Sequence, residues 1–169
     1  MLKLSRMTDY AAVVMARIAR EPDSAHAAID LAESVQLPHP TVSKTLKALV
    51  RAGLLESRRG AQGGYRLARP ASEISASDII SAIEGPVAVT ECSHVDGDCE
   101  LVNTCGVADN WQRVSRAIGE LLGSVTLAHL ASTSPLRMPV QLPIQAISLY
   151  SDDSRDLRSQ PPAARGHKA

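Results

Sequence analysis

The chain has 169 residues, of which 44% are hydrophobic and 2% aromatic, and its 18 basic and 18 acidic side chains give a net charge of zero. This hydrophobic share excludes wholesale disorder, and the scarcity of aromatic residues favours helices over a β-sandwich. No apolar run approaches the roughly 18 residues of a membrane span, and residues 1–20 lack the apolar stretch of a leader peptide. We therefore expect a cytoplasmic, reduced protein that does not associate with membranes.

The net charge of zero conceals a division along the chain. Residues 1–69 carry a net charge of +5, residues 70–110 contain no Lys or Arg and carry −8, and residues 111–169 carry +3. A basic surface is typical of phosphate binding, although a modest excess also occurs on surfaces that bind nothing. The charge favours nucleic-acid binding by the first third of the chain.

Two helices are predicted before residue 36. The first lies between Leu4 and Ala19, begins near Thr8 and Asp9 or before, and is followed by the second over 28–35. The expected inward residues are Tyr10, Val13, Val14, Ala16 and Ile18 in the first helix, and Ile29, Leu31, Ala32 and Val35 in the second.

A third helix is predicted over Thr41–Ala52, after a tight turn at residues 36–38. Pro40 suits a first helical position, and Gly53 suits the left-handed position that ends a helix. A short helix, a tight turn and a second helix form the arrangement that places the later helix in the DNA major groove. The expected inward residues are Val42, Leu46, Leu49 and Val50, and the outward ones are Thr41, Ser43, Lys44, Thr45, Lys47 and Arg51.

Two short strands are predicted next, at 54–57 and 65–67, and the residues between them form a cationic, glycine-rich tip. Such a tip can contact a phosphate or the minor groove, whereas a hairpin with a glycine-rich loop and no ligand is the alternative. A nucleotide-binding loop is excluded because neither glycine motif of such loops is present. The order of elements predicts a mainly α fold with a winged helix-turn-helix domain over 1–84 and DNA contacts at Thr41, Ser43, Lys44, Thr45, Lys47, Arg58 and Arg59.

Two more helices are predicted beyond the wing. Ser75–Glu84 is expected to support the DNA-binding domain, and Asn110–Ala131 is the longest helix candidate, with an apolar stripe along it. A long helix after a small domain is often a dimer seam, and packing against its own domain is the alternative. We expect a dimerisation helix over 110–133 and a flexible, proline-rich tail over 134–169, with dimer contacts at Trp111, Val114, Ile118, Leu121, Leu122 and Val125.

The segment 85–109 contains all three cysteines of the chain, in the pattern Cys-x6-Cys-x5-Cys at Cys92, Cys99 and Cys105. Clustered thiols in a reducing compartment favour a soft-metal or iron–sulfur site, although the spacing differs from common zinc and ferredoxin patterns. A fourth ligand would come from His94, Asp96, Asp98 or another part of a dimer. Unligated thiols and an oxidation switch are the alternatives.

These features together resemble the IscR/NsrR family of bacterial, winged-helix, homodimeric transcription regulators. The resemblance extends over about residues 1–133 and rests on the cysteine pattern and on three segments, at residues 4–11, 40–46 and 58–65. It is nearest to the branch that regulates the SUF system of iron–sulfur cluster assembly. Members of the family typically bind an iron–sulfur cluster whose presence changes their affinity for DNA.

The resemblance implies that Cys92, Cys99 and Cys105 are cluster ligands. IscR-like members carry a histidine as fourth ligand three residues after the last cysteine, where this chain has Ala108. In NsrR-like members an aspartate of the first helix of the partner subunit is the fourth ligand, and Asp9 matches that position. His94 is the second candidate, and a [2Fe-2S] cluster is favoured over a [4Fe-4S] cluster.

The sequence thus predicts a homodimeric repressor that binds double-stranded operator DNA, senses iron–sulfur cluster status and controls SUF genes. One alternative is a repressor that senses nitric oxide or redox state in the NsrR manner. Another is a cluster-free regulator that acts through thiol oxidation, zinc or a protein partner. An enzyme with a small-molecule substrate is not expected, because no nucleophile–base pair is visible and the five histidines are scattered at His26, His39, His94, His129 and His167.

Overall fold

A computed structural model describes residues 3–60, 63–90, 93 and 105–132. Those residues form six α-helices, a short 3-10 turn at Ala71–Glu73 and a two-stranded antiparallel sheet, so the predicted mainly α fold is confirmed. The predicted tail over 134–169 lies outside the described residues. The elements are α1 (Arg6–Ala19), α2 (Ala28–Ser34), α3 (His39–Arg51), β1 (Leu55–Arg58), β2 (Gly64–Leu67), α4 (Ala76–Glu84), α5 (Ala108–Ser124) and α6 (Leu127–Ala131).

One hydrophobic core joins α1, α2, α3, β1, α4 and α6. The core residues of α1 recur at helical spacing from Ala11 through Val14 and Met15 to Ile18, and all four are fully buried. The corresponding residues of α3 are Val42, Leu46 and Leu49. This packing fixes the position of α3, whose opposite side stays at the surface.

Two predicted core residues lie at the surface instead. Val13 is 48% exposed and Ile29 is 57% exposed, so the expectation that both face inward is wrong. Val13 lies outside the stripe that Ala11, Val14, Met15 and Ile18 define, because that stripe already fills the face toward the core. In the short helix α2, the core contact is made by Leu31 and Ala32.

The wing is a hairpin that is tied to the loop after α1. Strands β1 and β2 pair from Leu55 opposite Leu67 to Arg58 opposite Gly64. The backbones of His26 and Tyr65 exchange two further hydrogen bonds, of 3.0 and 2.9 Å. A Cβ at position 64 would lie 2.7 Å from the backbone oxygen of His26, so only glycine permits this close approach. The base of the wing is therefore held against the helical core.

The predicted helix over 110–131 is two helices. Helix α5 ends at Ser124, Val125 is extended and buried, and α6 begins at Leu127. The backbone oxygen of Val125 accepts a 2.7 Å hydrogen bond from the N–H of Ala76, and the N–H of Leu127 donates one of 2.7 Å to the backbone oxygen of Ile74, so the chain between α5 and α6 pairs with the start of α4. Leu127 is then fully buried in the core, where α6 packs against α1. Within the described residues, no helix is both long enough and apolar enough to cross a bilayer.

Candidate DNA interface and cysteine segment

The exposed side of α3 is cationic. Helix α3 begins one residue after Pro38, whose backbone oxygen accepts hydrogen bonds from the N–H groups of Thr41 and Val42. Lys44 and Lys47 are exposed along the middle of the helix. Thr41 and Ser43 are half-buried in its first turns. This is the part of a recognition helix that contacts base edges in helix-turn-helix proteins.

Thr45 does not belong to this surface. It is fully buried, and its Oγ1 donates a 2.9 Å hydrogen bond to the backbone oxygen of Thr41. Together with Val42, Leu46 and Leu49 it follows the i, i+3, i+4, i+7 spacing of a single face. The prediction that Thr45 faces outward is therefore wrong, because the internal hydrogen bond satisfies its hydroxyl within the core.

The wing adds two more cations. Arg58 ends β1 and Arg59 follows it, and both are exposed. Gly60, with a φ of 118°, turns the chain, and its backbone oxygen accepts a 2.9 Å hydrogen bond from the N–H of Gly63. Residues 61 and 62 at the tip lie outside the described part of the chain.

These cations differ in their partners from three other arginines of the domain, although Arg6 and Arg20 likewise form no ion pair within the described ranges. Arg17, Arg66 and Arg69 each form an ion pair, with Glu21 at 3.0 Å, Glu56 at 3.6 Å and Asp78 at 2.9 Å. In the ranges that the structure describes, no acidic side chain pairs with the exposed cations of α3 and the wing, which we call the cationic surface: Lys44, Lys47, Arg51, Arg58 and Arg59. Unpaired, exposed charges on one helix and one hairpin are available for phosphate groups.

The described part of the predicted ligand set consists of two residues. Asp9 is exposed in the first turn of α1. Cys105 is half-buried with a free thiol, and its backbone oxygen accepts a 3.2 Å hydrogen bond from the N–H of Ala108 at the start of α5. Cys92, Cys99 and His94 lie outside the described residues. Among those that are described, no three His, Cys, Asp or Glu side chains form a possible metal site.

Residues 85–109, which we call the cysteine segment, are attached near their beginning to α5. The backbone N–H of Val89 donates a 3.1 Å hydrogen bond to Ser115 Oγ, and Ser115 is buried in the middle of this helix. Ser93 donates its N–H to the backbone oxygen of Thr90 at 2.9 Å, across positions 91 and 92. The cysteine segment is therefore hydrogen-bonded to α5 at both ends, through Val89 to Ser115 and through Cys105 to Ala108. Ser115 is not among the predicted site residues, and its signal in the sequence is a small polar residue beside an apolar stripe.

A second attachment lies at the end of α4. Glu84 Oε1 accepts hydrogen bonds from the backbone N–H of Ser5, at 2.8 Å, and from Thr8 Oγ1. These hydrogen bonds, led by the one from Thr8, lower the pKa of Glu84 below its ordinary value. Glu84 was predicted only as the last residue of a supporting helix. Its partners lie 79 and 76 positions away, so local sequence patterns carry no signal for them.

The predicted dimer contacts divide between the surface and the interior. Trp111, Val114 and Leu121 are exposed and Ile118 is half-buried, at spacings of three, four and three residues that place them on one face of α5. Leu122 is half-buried. Val125 is buried within its own chain beyond the end of α5, so it is not part of this apolar face.

Comparison with known proteins supports the resemblance seen in the sequence. The model of the Rrf2 family, described as iron-dependent transcriptional regulators, matches residues 4–133. Protein aau3 of Rhizobium meliloti is 32% identical over 79% of this chain and 88% of its own length.

Two solved structures are similar in fold and sequence. The structure of CymR, the global cysteine regulator of B. subtilis, has a TM-score of 0.62 and 32% identity, covering 80% of this chain and all of that one. IscR of T. potens has a TM-score of 0.57 and 31% identity, covering 75% of this chain and 84% of the other.

Proposed function

Because the chain belongs to the Rrf2 family of transcriptional regulators, we propose that it is a homodimeric repressor that senses iron–sulfur cluster status and controls SUF genes. Its relatives are regulators of transcription, so the chain is a DNA-binding regulator and not an enzyme. The SUF assignment rests on the resemblance of residues 4–11, 40–46 and 58–65 and of the three-cysteine pattern to the IscR/NsrR family, within which the SUF-regulating branch is nearest.

The cationic surface is the observation that carries the DNA-binding part of the proposal. Lys44 and Lys47 lie on the exposed side of α3, while Arg58 and Arg59 lie on the adjoining wing, and none of the four pairs with an acidic side chain among the described residues. A recognition helix enters the major groove while a wing contacts the backbone or the minor groove. We assign base-edge contacts to Thr41, Ser43 and Lys44, and phosphate contacts to Lys47, Arg58 and Arg59.

The DNA-binding assignment is tested by selecting binding sequences from a random pool of 30-bp duplexes and measuring the affinity of the enriched duplex. The double variant K44A/K47A should weaken binding by more than about tenfold, because removal of several charge contacts costs a few kcal/mol. A matched control is R17A, which removes an arginine that is paired with Glu21. Equal affinities for wild type, K44A/K47A and R17A would contradict the assignment.

The residues that would hold a cluster are Cys92, Cys99 and Cys105, with Asp9 of the partner subunit as the fourth ligand and His94 as the second choice. Three thiolates and one carboxylate are a donor set that suits iron–sulfur ligation. The free, half-buried thiol of Cys105 and the exposed carboxylate of Asp9 are both available for such a role. When bound, the cluster would supply a reactive, oxidisable group; a [2Fe-2S] form is favoured over a [4Fe-4S] form.

This chain's own residues provide the route from the cysteine segment to the DNA interface. Val89 is bonded to Ser115 of α5, and Glu84 is bonded to the start of α1. Helix α1 in turn packs against α3, which carries Lys44 and Lys47. The protein with a cluster and the protein without one would hold the cysteine segment differently. This difference can shift DNA affinity only if the two forms differ in their free energy of DNA binding.

Dimerisation is assigned to α5. The apolar face that consists of Trp111, Val114, Ile118 and Leu121 has the spacing of a helix–helix seam, and Trp111, Val114 and Leu121 are each 37–42% exposed. Two-fold pairing through this face would present two recognition helices to two half-sites.

A cluster-free regulator is the second candidate function. The similarity to CymR, the global cysteine regulator of B. subtilis, favours it. In this case the three cysteines would act through thiol oxidation. The two candidates differ in bound iron and sulfide, which only the first requires.

A further inference from the structure

The N-terminal cap of α1 is built by two distant parts of the chain. Ser5 is the N-cap, and its Oγ accepts a hydrogen bond from the backbone N–H of Thr8 at 3.3 Å. In a complete capping box, the third helical residue is acidic or an amide and bonds back to the N–H of the N-cap residue. The third residue of α1 is Thr8, and here the N–H of Ser5 donates to Glu84 instead.

Helix α4 shows the local version of the same cap. Ser75 accepts from the N–H of Asp78, and the carboxylate of Asp78 accepts from the N–H of Ser75 at 2.9 Å. In α1 the carboxylate is supplied by Glu84, which also accepts from Thr8 Oγ1. The first turn of α1 is therefore stabilised by the last residue of α4.

Glu84 lies between the cysteine segment and the start of α1. The residue after it is Gly85, with a φ of 88°, and the chain then runs into the cysteine segment. On the other side of the contact, Asp9 belongs to the capped turn, since its N–H donates a 3.2 Å hydrogen bond to the backbone oxygen of Ser5. One side chain thus connects the start of the cysteine segment to the helical turn that carries Asp9.

We infer that Glu84 is a positioning residue for Asp9, an inference that rests on the proposed function of Asp9 as a ligand. While Glu84 bonds to Ser5 and Thr8, the first turn of α1 stays helical and Asp9 keeps a fixed place on its surface. Without the carboxylate, the N–H of Ser5 loses its partner and the turn frays, as helix ends do when their caps are removed. A displacement of the chain at Gly85 that pulls Glu84 away from Ser5 would fray the first turn of α1 in the same way.

The first test uses the protein without any cluster. Amide hydrogen exchange of Thr8 and Asp9 should be accelerated about fivefold in E84A, because the turn loses its two hydrogen bonds to Glu84 while Ser5 Oγ still accepts from Thr8. E84Q should restore most of the protection, because its amide oxygen still accepts hydrogen bonds from Ser5 and Thr8. The control E33A removes an exposed glutamate of α2 and should leave these rates unchanged. Unchanged exchange in E84A would overturn the inference.

The second test measures the half-life of the visible absorbance of anaerobically reconstituted protein in the presence of an iron chelator. E84A should shorten the half-life by no more than D9A does, and the half-life of E84A/D9A should equal that of D9A, because Glu84 acts only through the Asp9 contact that D9A removes. A further shortening in the double variant would show a role that does not pass through Asp9.

The outcomes separate the two proposals. A wild-type protein that stays colourless after reconstitution contradicts the cluster assignment and the positioning role together. A coloured wild-type protein whose half-life is unaffected by E84A contradicts only the positioning role. Rapid amide exchange in E84A together with an unchanged half-life would also contradict only the positioning role. In that case fraying of the first turn of α1 would not weaken the contact between Asp9 and the cluster.

Discussion

The backbone N–H of Val89 and the hydroxyl of Ser115 form a 3.1 Å hydrogen bond that attaches the cysteine segment to the middle of α5. Ser115 is one of the few buried polar residues of the described chain, and α5 also carries the exposed apolar face. The same helix therefore contacts the cysteine segment on one side and carries the proposed dimer seam on another. In the proposed dimer, this arrangement would link the state of the cysteine segment to the geometry of the pair.

Loss of this bond should destabilise the protein measurably. In S115A the N–H of the half-buried Val89 loses its partner, at a cost of about 1 kcal/mol. The control S124A removes an exposed hydroxyl that bonds only to the backbone oxygen of Leu121, and it should cost less than about 0.5 kcal/mol. Urea unfolding of both variants measures the difference. Equal free energies of unfolding would mean that the bond does not hold the segment.

Arg59 on the wing should act as a phosphate contact. R59A should weaken DNA binding for all duplexes alike and reduce the slope of log affinity against log salt by about one unit. The control R66A changes a wing-strand arginine that is paired with Glu56, and it should leave the slope nearly unchanged. Fluorescence anisotropy at several salt concentrations gives both values. An unaltered slope in R59A would remove Arg59 from the interface.

We expect Thr45 to contribute to the stability of the fold and not to DNA affinity. T45V keeps the shape of the buried side chain, and the backbone oxygen of Thr41 loses only its side-chain donor, at a cost of about 1 kcal/mol. Its DNA affinity should stay within about twofold of wild type, whereas K44A on the exposed side should lose several-fold. A large loss of DNA affinity in folded T45V would place Thr45 at the interface after all.

The apolar face of α5 should control oligomeric state. V114K introduces a charge at the centre of the face and should convert the dimer to a monomer in sedimentation experiments, because a buried unpaired charge costs several kcal/mol. E120K changes an exposed position on the opposite side of α5 and should leave the dimer intact. Dimers in both variants would exclude this face as the seam.

The cap of α1 should give stability that depends on pH. Hydrogen bonds from Thr8 and Ser5 lower the pKa of Glu84 from its ordinary value of 4.5, so the carboxylate is favoured in the folded state. The stabilisation is fully present above pH 4.5 and is lost as the pH falls through the lowered pKa. The difference in free energy of unfolding between wild type and E84Q should therefore shrink in acid. A difference that is constant from pH 7 to pH 3 would contradict this assignment.

Much of this architecture could be predicted from local sequence patterns. The helices of the DNA-binding domain, the turn at 36–38 and the two strands of the wing follow from apolar spacing, proline and glycine. Thr45 was misplaced because its polarity was given more weight than its spacing from Val42 and Leu49. Its hydroxyl donates a hydrogen bond to the backbone of its own helix, so a polar side chain can lie on the buried face of α3.

The remaining differences have non-local causes. Val125 lies in an apolar stretch that suits a helix, and only the hydrogen bond from Ala76 shows why α5 stops before it. The contact between Glu84 and Ser5 joins residues that lie far apart in the sequence. Such contacts depend on how helices pack, and the pattern of a single helix does not contain them.

We propose that this regulator carries an iron–sulfur cluster on its cysteines. The most direct test is the absorbance spectrum of protein purified without oxygen, with iron and acid-labile sulfide quantified per chain. We predict a brown protein with equal amounts of iron and sulfide, and loss of the visible absorbance in C99A. A wild-type protein that stays colourless and free of iron after reconstitution would contradict the claim.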